Sequence, residues 1–217
     1  MAYDYLFFDL DGTLTDPAEG ITNSFIYALK YFGIEVPSYE TLCTYIGPPL
    51  VTTWKEQYGF NDEKAAEGVK KYREYFADKG LFENKVYPGI PELLQKLKAA
   101  GKHLYVATSK PEEYSKRIMD KFDLSKYFEA VCGSNIDETR STKAEVVAYA
   151  METAGIKNPD NILMIGDRKH DVIGSKENGI KCCGVLFGYG NRQELEEAGA
   201  AYIASDIDEL EKILINL

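Results

Sequence analysis

The sequence predicts an α/β protein: a doubly wound parallel sheet core, interrupted early by an inserted helical-bundle domain. Three observations carry this expectation. Short apolar runs alternate with helix-period segments over residues 1–15 and 86–217, the pattern of parallel strands joined by crossover helices. Residues 16–85 show helical periodicity alone. Three of the strand-like runs end in short polar clusters, where an open parallel sheet binds its ligands.

The first run, residues 3–10, is nearly all apolar, as a strand covered on both faces requires. Asp16-Pro17-Ala18-Glu19 then reads as a helix start, with a capping Asp, Pro in the first position and Glu three residues after the cap. Ile21, Phe25, Leu29 and Phe32 make one stripe, ended by Gly33. Ser38 opens a short helix, and Gly47-Pro48-Pro49 interrupts, because two prolines cannot continue a helix interior. Trp54 and Tyr58 mark the helix that follows, and Val69, Tyr72 and Phe76 stripe the last one, ended at Gly80. Four such helices suggest a small bundle in which Trp54 and the tyrosines are packing residues. The Lys- and Glu-rich run 63–79 is its solvated face.

The chain therefore divides into a core, 1–15 with 86–217, and a helical domain, 16–85. In the core, helix 91–100 carries Leu93, Leu94 and Leu97 on one face and stops at Gly101. Strands are expected at 103–108, 130–133, 161–166, 181–187 and 201–204. Tyr114, Ile118 and Phe122 mark one intervening helix; Val147, Met151 and Ala154 mark another, closed by Gly155.

The 217 residues are 45% hydrophobic and 28% charged, with a formal net charge of −10. That is the composition of a soluble globular protein. The acidic balance offers no electrostatic footprint for nucleic acid and no polybasic anchor for an anionic membrane. No run approaches the roughly 18 apolar residues of a membrane span. The start, from Met1 to Asp9, lacks a basic segment and is broken by Asp4 and Asp9, so a cytoplasmic protein is expected. Cys43, Cys132, Cys182 and Cys183 show no C-x-x-C spacing and read as small buried hydrophobes in a reducing compartment. His103 and His170 have no second histidine at metal-ligand spacing and read as structural or surface residues.

Asp9-Leu10-Asp11-Gly12-Thr13 sits where the first strand ends. Two carboxylates one residue apart can divide the labour of phosphoryl transfer: Asp9 attacks phosphorus and Asp11 handles the proton of the leaving oxygen. Gly12 permits the sharp turn. The plainer reading is a turn capped by carboxylates. In Gly166-Asp167-Arg168-Lys169-His170-Asp171, Asp167 and Asp171 project on one side of a helix start. Their hard oxygens suit magnesium, while helix capping by Asp167 is the alternative. Thr108-Ser109-Lys110-Pro111 can bind phosphate oxygens through a hydroxyl and backbone N–H groups, or can be an ordinary turn and helix cap. Lys143, taken by itself, reads as a solvated surface lysine; beside a phosphate it is a counter-charge.

As a set, Asp9-Leu10-Asp11-Gly12-Thr13, Thr108, Lys143, and Gly166-Asp167 with Asp171 resemble the four motifs of the haloacid dehalogenase superfamily of phosphatases. The resemblance covers essentially the whole chain. Gly47-Pro48-Pro49, Tyr87-Pro88-Gly89 and Thr108-Ser109-Lys110-Pro111 are similar to the phosphoglycolate phosphatase-like branch. One departure is Ala144, where that branch often has proline after the lysine. The resemblance implies a Rossmann-like core with a helical cap over residues 16–85 and a magnesium ion held by Asp9, the Asp11 backbone carbonyl and Asp167, with Asp171 in support. It implies an aspartyl-phosphate intermediate on Asp9, with Thr108, Ser109 and Lys143 binding the phosphoryl oxygens. The expected substrate is a small phosphorylated metabolite, phosphoglycolate-like or a nucleoside monophosphate, and the expected assembly a monomer or homodimer. A phosphomutase of the same superfamily shares these motifs. A phospho-accepting binding module is the non-enzymatic alternative; receiver domains of that kind lack a helical insertion after the first strand.

Overall fold

The computed structural model describes residues 3–137 and 139–216. Met1 and Ala2, on which the reading of the amino terminus partly rests, lie outside the described residues. The chain forms two compact units, Met1–Asp16 with Val86–Leu217 and Pro17–Lys85.

The strands are β1 (Tyr5–Phe8), β2 (Thr15–Asp16), β3 (Lys85–Val86), β4 (His103–Pro111), β5 (Ala130–Ser134), β6 (Ile162–Gly166), β7 (Lys181–Val185) and β8 (Tyr202–Ala204). Six form one sheet in the order β5-β4-β1-β6-β7-β8, with every pairing parallel. β2 and β3 pair separately, where the chain leaves and re-enters the first unit. The strand order reverses about β1: the chain builds outward through β4 and β5, then returns to the other side of β1 for β6, β7 and β8. This is the doubly wound arrangement, and its ligand crevice lies at the carboxyl ends of the strands beside the switch point. Alternation along the strands puts Phe7, Tyr105, Ala107, Met164 and Cys182 into one core layer with Val146, Val147, Ala150 and Val172. Leu6, Phe8, Leu104, Val106, Leu163 and Ile165 point the other way and are equally buried, so both faces of the sheet are covered.

The helices of the second unit are α1 (Ala18–Tyr31), α2 (Tyr39–Cys43), α3 (Leu50–Tyr58) and α4 (Asp62–Tyr75). Ser38 caps α2 by accepting from the Thr41 N–H, and Gly59 closes α3 in the left-handed region. Trp54 is fully buried among Phe25, Phe32, Tyr58 and Phe60. Two local expectations are corrected. Asp16 does not cap α1: Pro17 occupies the cap position, and Asp16 lies in β2, where its carboxylate accepts from the Tyr189 hydroxyl. α4 does not run as a plain helix to Gly80 but passes into a π-helical turn at Phe76–Gly80.

The remaining helices belong to the first unit: α5 (Ile90–Ala99), α6 (Glu112–Lys121), α7 (Lys143–Ala154), α8 (Lys169–Glu177), α9 (Arg192–Ala198) and α10 (Ile207–Asn216). Cys132, Cys182 and Cys183 are buried, whereas Cys43 is half-buried. No helix among the described residues is long and apolar enough to cross a membrane.

Candidate active site

Three neighbouring strands, β4, β1 and β6, end side by side, and each delivers a polar residue to the same edge. Asp9 follows β1, with its N–H donated to the Ile165 carbonyl of β6 at 2.8 Å. Asp167 follows β6. Asp171 lies in the first turn of α8, on the side that faces back to the sheet. One carboxylate oxygen from each of Asp9, Asp167 and Asp171 falls within 4.8 Å of the others.

Lys143 enters this group from the first residue of α7. A capping box fixes that helix start, with the Thr142 hydroxyl accepting from the Glu145 N–H and the Glu145 carboxylate accepting from the Thr142 N–H. The Lys143 ammonium lies 2.8 Å from Asp9 Oδ1 and 2.8 Å from Asp171 Oδ1, and donates to the Ala107 carbonyl at 3.1 Å. Only 7% of the residue is exposed. The surface reading of Lys143 is thus corrected, because the helix start sits at the sheet edge and presents three acceptors. Burial disfavours the charged amine, but Asp171 and Asp9 outweigh it and hold its pKa above the ordinary lysine value.

Asp167 is fully buried. Its Oδ2 accepts from the Tyr189 N–H at 2.7 Å, and its Oδ1 is buried without a hydrogen-bond donor. It does not cap α8. Arg168 holds the cap position, and its N–H is donated to Asp171 Oδ2 at 3.0 Å. Glycines make room for this packing. Gly12 has φ +83°, and a Cβ there would lie 2.2 Å from Asp167 Oδ2. At Gly188 it would lie 2.4 Å from Asp167 Cβ.

Asp11 pairs with a second lysine, with Lys110 Nζ at 2.8 Å from its Oδ1 and 2.5 Å from its Oδ2. Sequence patterning alone assigns Lys110 no role. The available signal was strand alternation, which puts Lys110 on the same face as Thr108, two residues earlier. Thr108 is 2% exposed, and its hydroxyl accepts from the Lys110 N–H at 3.3 Å. Ser109 lies half-buried between them. β4 continues through Pro111, with a register shift between Ala107 and Pro111, and Pro111 also holds the cap position of α6, so the turn reading is corrected while the cap reading stands at Pro111.

Electrostatically the cluster is strained toward protonation. Burial, reinforced by Asp171 and Asp9, pushes Asp167 well above the usual carboxylate range. Burial, opposed by Lys143, carries Asp171 up to about 6. Burial also raises Asp11 against the pull of Lys110. Four carboxylates share this edge with two ammonium groups, Lys110 and Lys143. The excess of negative charge, the all-oxygen donor set and the orphaned Asp167 Oδ1 fit a hard divalent cation such as magnesium.

A family profile described as haloacid dehalogenase-like hydrolase matches residues 6–185. The chain belongs to the haloacid dehalogenase-like hydrolases. It is 42% identical to a 5'-nucleotidase of Pseudomonas aeruginosa, over 99% of this chain and 96% of that one. It is 38% identical to the tyrosine-protein kinase PtkA of Mycobacterium tuberculosis, over 95% of this chain and 71% of that one. Among solved structures, a predicted phosphatase from Clostridium acetobutylicum superposes with a TM-score of 0.96 at 50% identity, covering 100% of both chains. Within this hydrolase family the chain is an enzyme of the phosphatase class.

Proposed function

We propose that this haloacid dehalogenase-like phosphatase is magnesium-dependent and hydrolyses a small phosphomonoester, first among candidates a nucleoside monophosphate, through an aspartyl phosphate on Asp9. The observation that carries the reading is the convergence of Asp9, Asp167 and Asp171 within 4.8 Å, with the Lys143 ammonium on two of them. Likeness to the 5'-nucleotidase supports the substrate class, and more distant relatives named phosphoglycolate phosphatase keep phosphoglycolate on the list.

Asp9, Asp167, Asp171 and the Asp11 backbone carbonyl would hold the metal. Bound there, magnesium would offset the repulsion between carboxylates and phosphate. In the first half-reaction an Asp9 oxygen bonds to phosphorus as the ester P–O bond breaks, and Asp11 gives its proton to the leaving oxygen. In the second, water attacks the phosphoryl group and passes a proton to Asp11, and the Asp9 carboxylate is regenerated with release of phosphate. Lys143, the Thr108 hydroxyl and the Ser109 N–H bind the charge spread over the phosphoryl oxygens. These groups address the phosphoryl centre and leaving oxygen, so substrate choice is assigned to the helical unit. A cytoplasmic monomer or homodimer acting on small metabolites, without nucleic-acid or membrane partners, completes the proposal.

Likeness to PtkA favours a second reading, in which the phosphoryl group passes to another acceptor; a phosphomutase would do so to a sugar. One assay separates them. The purified protein is incubated with magnesium and a panel of phosphomonoesters, pyrophosphate included, beside Asp9→Asn. Free phosphate that appears with magnesium and vanishes in the variant supports the phosphatase; with a sugar or tyrosine peptide added as acceptor, its phosphorylation without free phosphate supports transfer; neither product rejects both.

A further inference from the structure

Lys110 is a long, flexible side chain held with little freedom. Only 6% of the side chain is exposed, and its ammonium spans both oxygens of Asp11 at 2.8 and 2.5 Å. Immobilising a lysine costs rotamer entropy, so this arrangement persists only where the contacts offset that loss. The backbone is fixed as well. The Lys110 N–H is donated to Thr108 Oγ1 at 3.3 Å, and the Lys110 carbonyl packs so closely on β5 that a Cβ at Gly133 would lie 2.7 Å from it. The register shift in β4 between Ala107 and Pro111 falls on this segment, the kind of irregularity that re-aims side chains beside active sites. Lys143 pairs with Asp9 and Asp171 and Lys110 pairs with Asp11, so the two lysines divide the site.

Resting on the phosphatase reading above, we propose that Lys110 is a positioning residue for the leaving-group side of the reaction, holding the Asp11 carboxyl in the orientation from which it exchanges a proton with the leaving oxygen. The Asp11 carboxyl turns about its Cβ–Cγ bond, and an ammonium on both oxygens restricts that turn. As the ester P–O bond breaks, the proton leaves Asp11 for the ester oxygen. The resulting carboxylate keeps both contacts to an ammonium whose own proton count does not change.

This role has a signature that a purely structural lysine lacks. An ester with a good leaving group, p-nitrophenyl phosphate, needs little help from Asp11, whereas a nucleoside 5'-monophosphate, with an alkoxide leaving group, needs it fully. kcat/KM, which reports the phosphorylation half-reaction, is measured on both esters for the wild type, Lys110→Met and Lys110→Arg, with urea unfolding as the check on folding. Lys110→Met is expected to lower kcat/KM on the nucleotide about tenfold or more beyond its effect on p-nitrophenyl phosphate. Lys110→Arg, which keeps a two-pronged cation, is expected to recover part of that difference. Equal losses on the two esters, no loss on either, or an arginine variant no better than methionine would overturn the proposal. Should Lys110→Met fail to fold, Lys110→Gln carries the same comparison. Wild-type turnover abolished by Asp9→Asn tests the underlying phosphatase reading separately.

Discussion

Replacing Lys143 by methionine removes one positive charge while nearly preserving shape, and the structure sets the size of the effect. The ammonium lies 2.8 Å from each of Asp9 Oδ1 and Asp171 Oδ1. At an effective dielectric near 20, each contact is worth about 6 kcal/mol of Coulomb attraction before desolvation is counted. Burying the amine takes back most of that, but Lys143→Met leaves two buried carboxylates facing each other without it. Breaking a buried pair in this way costs about 3–5 kcal/mol, a large share of a typical stability of roughly 5–15 kcal/mol. The assay is urea unfolding followed by circular dichroism, in EDTA and again in millimolar magnesium. The expected result is a loss of about 3–5 kcal/mol in EDTA that narrows in magnesium, because a divalent cation neutralises the same carboxylates. Activity should stay low in both, since phosphoryl oxygens have lost their ammonium. A loss within about 0.5 kcal/mol in EDTA would refute the claim that these ion pairs hold the site together. A deficit unmoved by magnesium would refute the assignment of the metal to these carboxylates.

Four other outcomes are expected. Asp11→Asn should cut kcat/KM on a nucleoside monophosphate by about 10²–10⁴ and on p-nitrophenyl phosphate far less, as steady-state kinetics will show. Gly188→Ala should destabilise the first unit by about 1–3 kcal/mol in urea unfolding, since its Cβ would meet Asp167 Cβ at 2.4 Å. Trp54→Ala should cost about 3–5 kcal/mol, read by the same method, because a fully buried ring stacked 5.5 Å from Phe60 leaves a cavity. The fourth concerns pH. The folded Asp171 carboxyl titrates at about 6, above its unfolded value of 3.8, so between these values the folded state binds the extra proton. Its contribution to metal-free stability is therefore greatest at low pH and declines as pH rises through that window. Asp171→Asn should remove that part of the decline in Tm measured in EDTA, and magnesium should raise the wild-type Tm more at neutral than at acid pH, since it binds the ionised form.

Much of this was written in local sequence. The apolar runs and their spacing specify parallel strands with crossovers, because burial on both faces and a right-handed return leave few alternatives. Gly12 sits at a turn with φ +83°, where its lack of a Cβ is required. Asp167 and Asp171 are four residues apart at a helix start, so their common direction follows from helical geometry. Gly155 ends α7 for a reason equally local, closing it in the left-handed region.

Pairings across the chain were decided only by tertiary structure. Lys110 and Asp11 are 99 residues apart in sequence, and nothing in either segment's periodicity names the other; they meet because β4 lies next to β1. Asp16 fits a helix cap by sequence, yet the Tyr189 hydroxyl, 173 residues away, takes its carboxylate. Lys143 carries no local mark of burial, and only the position of α7 over the strand ends turns it from a solvated lysine into the counter-charge of two aspartates. Periods of 2 and 3.6 residues encode which face of an element is buried, while the order of strands decides which polar ends share an edge. The sequence alone determined the elements and the residues able to do chemistry; the strand order β5-β4-β1-β6-β7-β8 decided which of them meet.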